Sequence, residues 1–168
     1  GEEVATIANK NLGNRFIHGY SIDGFSYFSK SLKLNGSLSY VKGDENETYG
    51  PMPSISPIFG TISGEYTKDK IKISALYKFS GDKSPKDYSL GGEDGLEETP
   101  VITENSNGII YAGTPKWSDF SIYTNYDISE DVKIRIALTN IFDNHYRTFA
   151  SGISAPGRSF QIGLYLKL

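Results

Sequence analysis

Cysteine is absent from all 168 residues. That excludes thiolate catalysis, cysteine metal sites and a disulfide framework. Histidine is nearly absent too. His18 and His145 are the only two, and they lack the close spacing of a metal-binding pair. No run of ~18 apolar residues occurs, so the chain encodes no membrane-spanning helix. No segment combines a helical hydrophobic period with helix caps. The opening Gly1-Glu2-Glu3 is not the charged-then-apolar start of a secretory leader. A net charge of −3 and a pI of about 5.4 argue against nucleic acid as a partner.

What the chain does have is alternation. In Arg158–Leu168, apolar Phe160, Ile162, Leu164, Leu166 and Leu168 alternate with Gln161, Gly163, Tyr165 and Lys167. Period two is the signature of a strand with one apolar and one polar face. The pattern recurs. Val132, Ile134, Ile136 and Leu138 oppose Lys133, Arg135 and Ala137. Phe120, Ile122, Thr124 and Tyr126 oppose Ser121, Tyr123 and Asn125. Ile71, Ile73, Ala75, Tyr77 and Phe79 oppose Lys72, Ser74, Leu76 and Lys78. Leu32, Leu34, Gly36, Leu38 and Tyr40 oppose Lys33, Asn35, Ser37 and Ser39. Weaker strands span about 15–28 and 59–67. The expectation is an all-β chain of seven strands.

A soluble β-sandwich alternates as well. Strands of roughly 9–11 residues suit a tilted bilayer crossing better than the ~5–6 usual in globular sheets. An apolar content of 38% would fill a dry interior poorly, whereas a barrel with a wet lumen needs none. The 12 Tyr and 9 Phe gather near strand ends (Tyr27, Phe28, Tyr40, Tyr66, Tyr77, Phe79, Trp117, Tyr126), where interfacial girdles stand. The pattern predicts a transmembrane antiparallel β-barrel. Phe160, Ile162, Leu164, Leu166 and Leu168 would face lipid, and Lys133, Arg135 and Lys167 the lumen.

Connections alternate between tight turns (29–31, 68–70, 128–131) and long segments (about 42–58, 80–116 and 142–157). Outer-membrane barrels keep short turns in the periplasm and long loops outside. The C-terminus is therefore expected in the periplasm and residues 1–14 outside. An odd strand count starting outside departs from the even count of single-chain barrels. The chain is expected to be the C-terminal section of a larger barrel, completed by other residues or another chain. A missed strand, giving a small eight-stranded barrel, is the alternative.

Thr139-Asn140-Ile141-Phe142-Asp143-Asn144-His145-Tyr146-Arg147, followed by Pro156-Gly157-Arg158-Ser159-Phe160, resembles the end of TonB-dependent outer-membrane transporters. There an Asn-hydrophobic-Phe-Asp-x-x-Tyr stretch leaves the penultimate strand and Pro-Gly-Arg-x-Phe opens the last. The family-motif positions are Asn140, Phe142, Asp143, Tyr146, Pro156, Gly157, Arg158 and Phe160. Gly43 with Ile55-Ser56-Pro57 resembles a Lys-Gly…Ile-Pro-Pro stretch of the same barrels, with Ser56 in place of a proline. Gly19-Tyr20 is similar to another strand of that region, with Ser21 where an acidic residue is common. Leu168 stands where an aromatic is usual. The segment 83–115, with Asp87-Tyr88 and Gly92-Glu93-Asp94, looks like a late loop of Bacteroidetes-type members.

This resemblance implies a 22-stranded barrel with a plug, embedded in the outer membrane of a Gram-negative cell. The partners implied are the remaining barrel and plug, the TonB complex acting through the plug, outer-membrane lipid and a surface lipoprotein. The implied activity is uptake of a scarce nutrient such as a ferric siderophore, haem or a similar complex. A small structural or adhesive barrel is the competing reading.

Candidate chemistry is thin. No Ser/His/Asp set has the mutual logic of a hydrolase, so no catalytic residue, cofactor or resident metal is expected. The acidic run Glu93, Asp94, Glu97 and Glu98 could hold calcium but lacks the spaced ligand loop; it reads as a solvated outer loop, as do Asp44, Glu45 and Glu47. Tyr88, Tyr111 and Trp117 are the candidate substrate-binding aromatics, with loop packing or an interfacial belt as the plain alternative.

Overall fold

A computed structural model describes residues 14–46, 50–106 and 108–167. Expectations resting on residues 1–13, Glu47 and Leu168 lie outside the described residues. Seven strands form one antiparallel meander: β1 (Ile17–Tyr27), β2 (Leu32–Gly43), β5 (Phe59–Lys68), β6 (Ile71–Ser80), β9 (Trp117–Asp127), β10 (Val132–Thr139) and β11 (Ser159–Leu166). Each pairs with its neighbour in that order. The remaining strands form two short hairpins within long connections: β3 (Glu45–Asn46) with β4 (Gly50–Pro51), and β7 (Val101–Asn105) with β8 (Gly108–Tyr111). Single 3-10 turns at Pro85–Asp87 and Leu96–Glu98 complete the chain. Sequence periodicity did not reveal these hairpins and turns, because each is too short to show a period.

Directly opposed residues in an antiparallel pair share a face, so the register tests the two-faced pattern. Starting at β11, Phe160, Ile162, Leu164 and Leu166 oppose Leu138, Ile136, Ile134 and Val132. These continue to Ile122, Thr124 and Tyr126, then to Ala75, Ile73 and Ile71. From β6 the face passes through Tyr66, Gly64, Ile62 and Gly60 to Leu32, Leu34, Gly36 and Leu38, and ends at Ile22 and Tyr20. One mainly apolar face therefore crosses the seven strands, thinning at β1, where it also carries His18, Gly24 and Ser26.

The other face is mainly polar, with Phe25, Val41, Phe59 and Leu76 among its apolar members. Hydroxyl and amide contacts run across it: Ser37 to Thr61 at 2.7 Å, Asn35 to Ser63 at 3.2 Å and Thr139 to Ser159 at 3.1 Å. Ion pairs join Lys72 to Glu65, Lys78 to Asp119 and Lys133 to Asp127. Arg135 lies over the Tyr123 ring at 5.7 Å.

The girdle expectation needs one correction. Tyr27 opposes Lys33 and Trp117 opposes Ser80, so both belong to the polar set. Lys33 accounts for Tyr27: its ammonium lies over the rings of Phe25 and Tyr27, at 4.7 and 5.8 Å.

Gly60 belongs to the apolar face at a point of close approach. A Cβ there would lie 2.5 Å from the Ser37 carbonyl oxygen and 2.8 Å from the Phe79 ring. The ring thus covers the backbone that the missing side chain leaves bare.

Among the described apolar side chains only Tyr88 and Ala137 are buried. Ile22, Ile62, Ile162, Phe160 and Leu164 are each more than half exposed. A contiguous apolar face of this extent suits hydrocarbon rather than water. No helix is long and apolar enough to cross a membrane, which says nothing of a β-barrel.

The long connections all lie at one end of the sheet and the tight turns at the other. β11 runs from the loop end to the turn end, where the Lys167 N–H donates to the Asp131 carbonyl at 2.9 Å. Within the described residues the sheet stays open, with β1 and β11 as its edges.

Candidate functional site

The long connections pack into a single cluster above the sheet, held by two networks. The first surrounds Lys83 and Asp94, 5% and 2% exposed. Lys83 Nζ lies 3.0 Å from Asp94 Oδ2 and donates to the Ile55 carbonyl at 2.7 Å. The Ser54 N–H donates to Asp94 Oδ1 at 2.6 Å. The same ammonium lies 4.1 Å from the centre of the Phe149 ring and 5.0 Å from that of Tyr88. Tyr88 shares a 2.5 Å hydrogen bond with Thr114, and burial raises its phenol pKa. Three connections thereby meet on one charged group: Ser54 and Ile55 from the first, Lys83 to Thr114 from the second and Phe149 from the third.

This network corrects the reading of the acidic run as wholly solvated. Asp94 is enclosed because Lys83 and a backbone N–H satisfy its two oxygens; a buried carboxylate without such partners would be strongly disfavoured. Asp44 is likewise engaged. Arg15 Nε donates to its carboxylate at 2.6 Å, and that hydrogen bond holds the Asp44 pKa below its usual value. Among the described residues no three His, Asp or Glu side chains converge as a metal site would require.

The second network explains the Asn-x-Phe-Asp stretch in physical terms. Asn140 and Asp143 have φ of 46° and 55°, a left-handed conformation that Asn and Asp adopt more readily than most residues. Asn140, 2% exposed, donates to the carbonyls of Asn144 and Pro156 at 2.9 and 3.0 Å and accepts from the Asn144 N–H at 3.0 Å. Asp143 accepts from the Arg158 N–H at 2.8 Å. These bonds join the exit of β10 to the entrance of β11.

Phe142 stays exposed and stacks on Phe120, with centroids 5.9 Å apart. The Tyr146 hydroxyl donates to Asp119 Oδ2 at 2.9 Å, and its ring stacks on Trp117 at 4.3 Å. Burial, reinforced by Asp119, pushes the Tyr146 pKa up to about 12. Gly157 sits against the Asp143 carboxylate, and Phe160 belongs to the apolar face. The motif residues act as a structural latch, one that periodicity alone could not reveal.

A cavity of about 370 Å³ opens between these loops, lined in part by Glu97, Glu98, Lys116, His145, Tyr146 and Arg147. Arg147 braces it by donating to the Glu98 carbonyl at 2.8 Å. The three aromatics singled out from the sequence do not converge here. Tyr88 is packed inside the Lys83 network. Tyr111 sits on β8, partly exposed. Trp117 borders a separate depression, together with Tyr146. The charged residues around the cavity come from three segments, near 97, 116 and 146, so no local motif announced them.

A two-faced antiparallel sheet, with open edges and its loops gathered at one end, has the form of a section of β-barrel wall. Solved structures agree. The copper transporter OprC matches at TM-score 0.67 and 17% identity, over 90% of this chain and 24% of its own. The ferric enterobactin receptor PfeA of Pseudomonas aeruginosa, in complex with enterobactin, matches at 0.67 and 18%, over 89% and 22%. The FrpB iron transporter of Neisseria meningitidis matches at 0.63 and 13%, over 89% and 23%. These are TonB-dependent receptors, and the chain shares the fold of part of their barrel. It spans about a quarter of their length. No protein-family model matches the chain, and no curated protein does.

Proposed function

We propose that this chain is the C-terminal section of the barrel of a TonB-dependent outer-membrane transporter. The observation that carries the proposal is the segregation of a mainly apolar from a mainly polar face across seven strands, with every long connection at one end. The two unpaired edges support it further, because exposed backbone N–H and C=O groups in hydrocarbon cost several kcal/mol each. Further strands would cover β1 and β11. The turn end, and with it the C-terminus, would lie in the periplasm and the loop cluster outside the cell.

The cargo would be a scarce nutrient such as a ferric siderophore, haem or a similar complex. The names of the matched structures favour a metal or metal-complex cargo: copper, ferric enterobactin and iron. In this reading the loop cluster and a plug bind the cargo, the TonB complex acts through the plug, and this chain makes no bonds. Tyr111 and Trp117 would be the aromatics that touch cargo, while Tyr88, packed against Thr114 and Lys83, would brace the loops.

The test is the mass and N-terminal sequence of every polypeptide in the intact particle purified from outer membranes. A particle in which this chain is joined to, or accompanied by, a plug-bearing section is expected. A particle fully accounted for by these residues would replace the transporter with a small structural or adhesive barrel.

A further inference from the structure

Lys83 and Asp94 are held together more firmly than an ion pair requires. Both side chains are buried, whereas the Lys133–Asp127 and Arg147–Glu98 pairs are open to water. Backbone contacts fix each partner. Lys83 exchanges two hydrogen bonds with Thr114, of 2.9 and 3.0 Å. Asp94 sits in a tight turn, closed where the Gly95 N–H donates to the Gly92 carbonyl at 3.2 Å. The Tyr88 and Phe149 rings flank the ammonium and screen it from water.

The polar groups around the pair are those that amide formation needs. A nitrogen nucleophile, Nζ, lies 3.0 Å from Asp94 Oδ2. The Ser54 N–H reaches Oδ1 at 2.6 Å, where negative charge would build as the carboxyl carbon turns tetrahedral. Ser54 presents that N–H from a φ of 62°, a conformation uncommon for residues other than glycine. The Ile55 carbonyl accepts another Nζ hydrogen at 2.7 Å and fixes the amine. Nucleophile, electrophile and oxyanion donor therefore converge in one closed site.

We infer that Lys83 and Asp94 become joined by an isopeptide bond, and that the contact described above is the arrangement before the bond forms. One ammonium proton passes to Oδ2, giving a neutral amine beside a neutral acid and leaving no buried charge. Nζ attacks Cγ, and Oδ1 carries the charge under the Ser54 N–H. A second Nζ proton goes to Oδ2, the Cγ–Oδ2 bond breaks and one water leaves. The product is an amide, formed without oxidant, metal or co-reactant. Contact enforced by the fold replaces the activation that the same condensation needs in free solution. In a chain without cysteine, the bond would close residues 83–94 into a ring, as a disulfide does elsewhere. The inference rests on the loop cluster alone and is independent of the transporter reading.

The test is tandem mass spectrometry of the full-length protein, purified from outer membranes, denatured and digested with trypsin. Trypsin cannot cut after a linked Lys83. The expected product is therefore residues 79–86 branched onto residues 87–116, one water lighter than the two peptides together. Fragment ions should place the branch at Lys83 and Asp94, and the free 87–116 peptide should be all but lost. Lys83→Arg keeps a cation beside Asp94 but offers no amine, so it should give abundant free 87–116 and no branch. The wild-type digest decides the matter even where that variant folds poorly. Only linear 79–83 and 87–116 peptides from the wild type would overturn the inference, as would a branch placed at Glu93, Glu97 or Glu98.

Discussion

Lys83 and Asp94 have the greatest consequence of any single residues. They are the most enclosed ion pair of the loop cluster, with Ser54, Ile55, Tyr88 and Phe149 arranged around them. Removing one member leaves the other buried and uncompensated, at a cost of about 3–5 kcal/mol. Asp94→Ala is therefore expected to loosen the loops while sparing the sheet, seen as rapid proteolytic cleavage within 83–100 and intact strand circular dichroism.

Tyr146 provides a second test, in pH. Its folded pKa is raised to about 12 from 10.0. A raised pKa in the folded state means that folding favours the neutral phenol. That contribution is complete below pH 10 and is lost as pH climbs through 12. Thermal unfolding followed from pH 9 to 12 should fall more steeply for the wild type than for Tyr146→Phe. Parallel curves would remove the Asp119 hydrogen bond from the account.

At the scale of the strand, the argument depends on which face a side chain takes. A cation in the apolar set near mid-strand would enter hydrocarbon, at about 2–4 kcal/mol near the bilayer midplane. Ile162→Arg is expected to lower barrel stability by that order in denaturant titrations in lipid, whereas Gln161→Arg, one residue away on the wet face, should have little effect.

This is also the scale at which the sequence was most legible. The alternation of Val132–Leu138 and Phe160–Leu166 is a local signal, and their registers follow it residue for residue. Tyr27 and Trp117 were misread as girdle residues because position near a strand end says nothing of face. The loop networks were not legible, since Lys83 finds Ile55 28 residues away and Tyr146 finds Asp119 27 residues away. Such contacts depend on tertiary packing that no short window contains. The Asn140 latch was visible only as a family resemblance; its geometry supplies the reason, two left-handed positions filled by Asn and Asp.

At the scale of the whole sheet, the described residues form two free edges, a mainly apolar face, a mainly polar face and loops at one end; the proposed barrel would turn the two faces to lipid and to water respectively. No internal core is needed, which is why a chain with 38% hydrophobic residues can adopt this fold. Long uncovered edges would invite association in water; in the proposed transporter, the edges of β1 and β11 are where further strands would pair.

The central claim is that one face meets lipid and the other water. Because these residues contain no cysteine, single cysteines carrying spin labels can be placed at positions 134 to 138 of the full-length protein in vesicles. Labels replacing Ile134, Ile136 and Leu138 should be relaxed by oxygen dissolved in the bilayer, and those replacing Arg135 and Ala137 by a water-soluble nickel chelate. Accessibility that is uniform along the strand, or alternates with the opposite phase, would contradict the account.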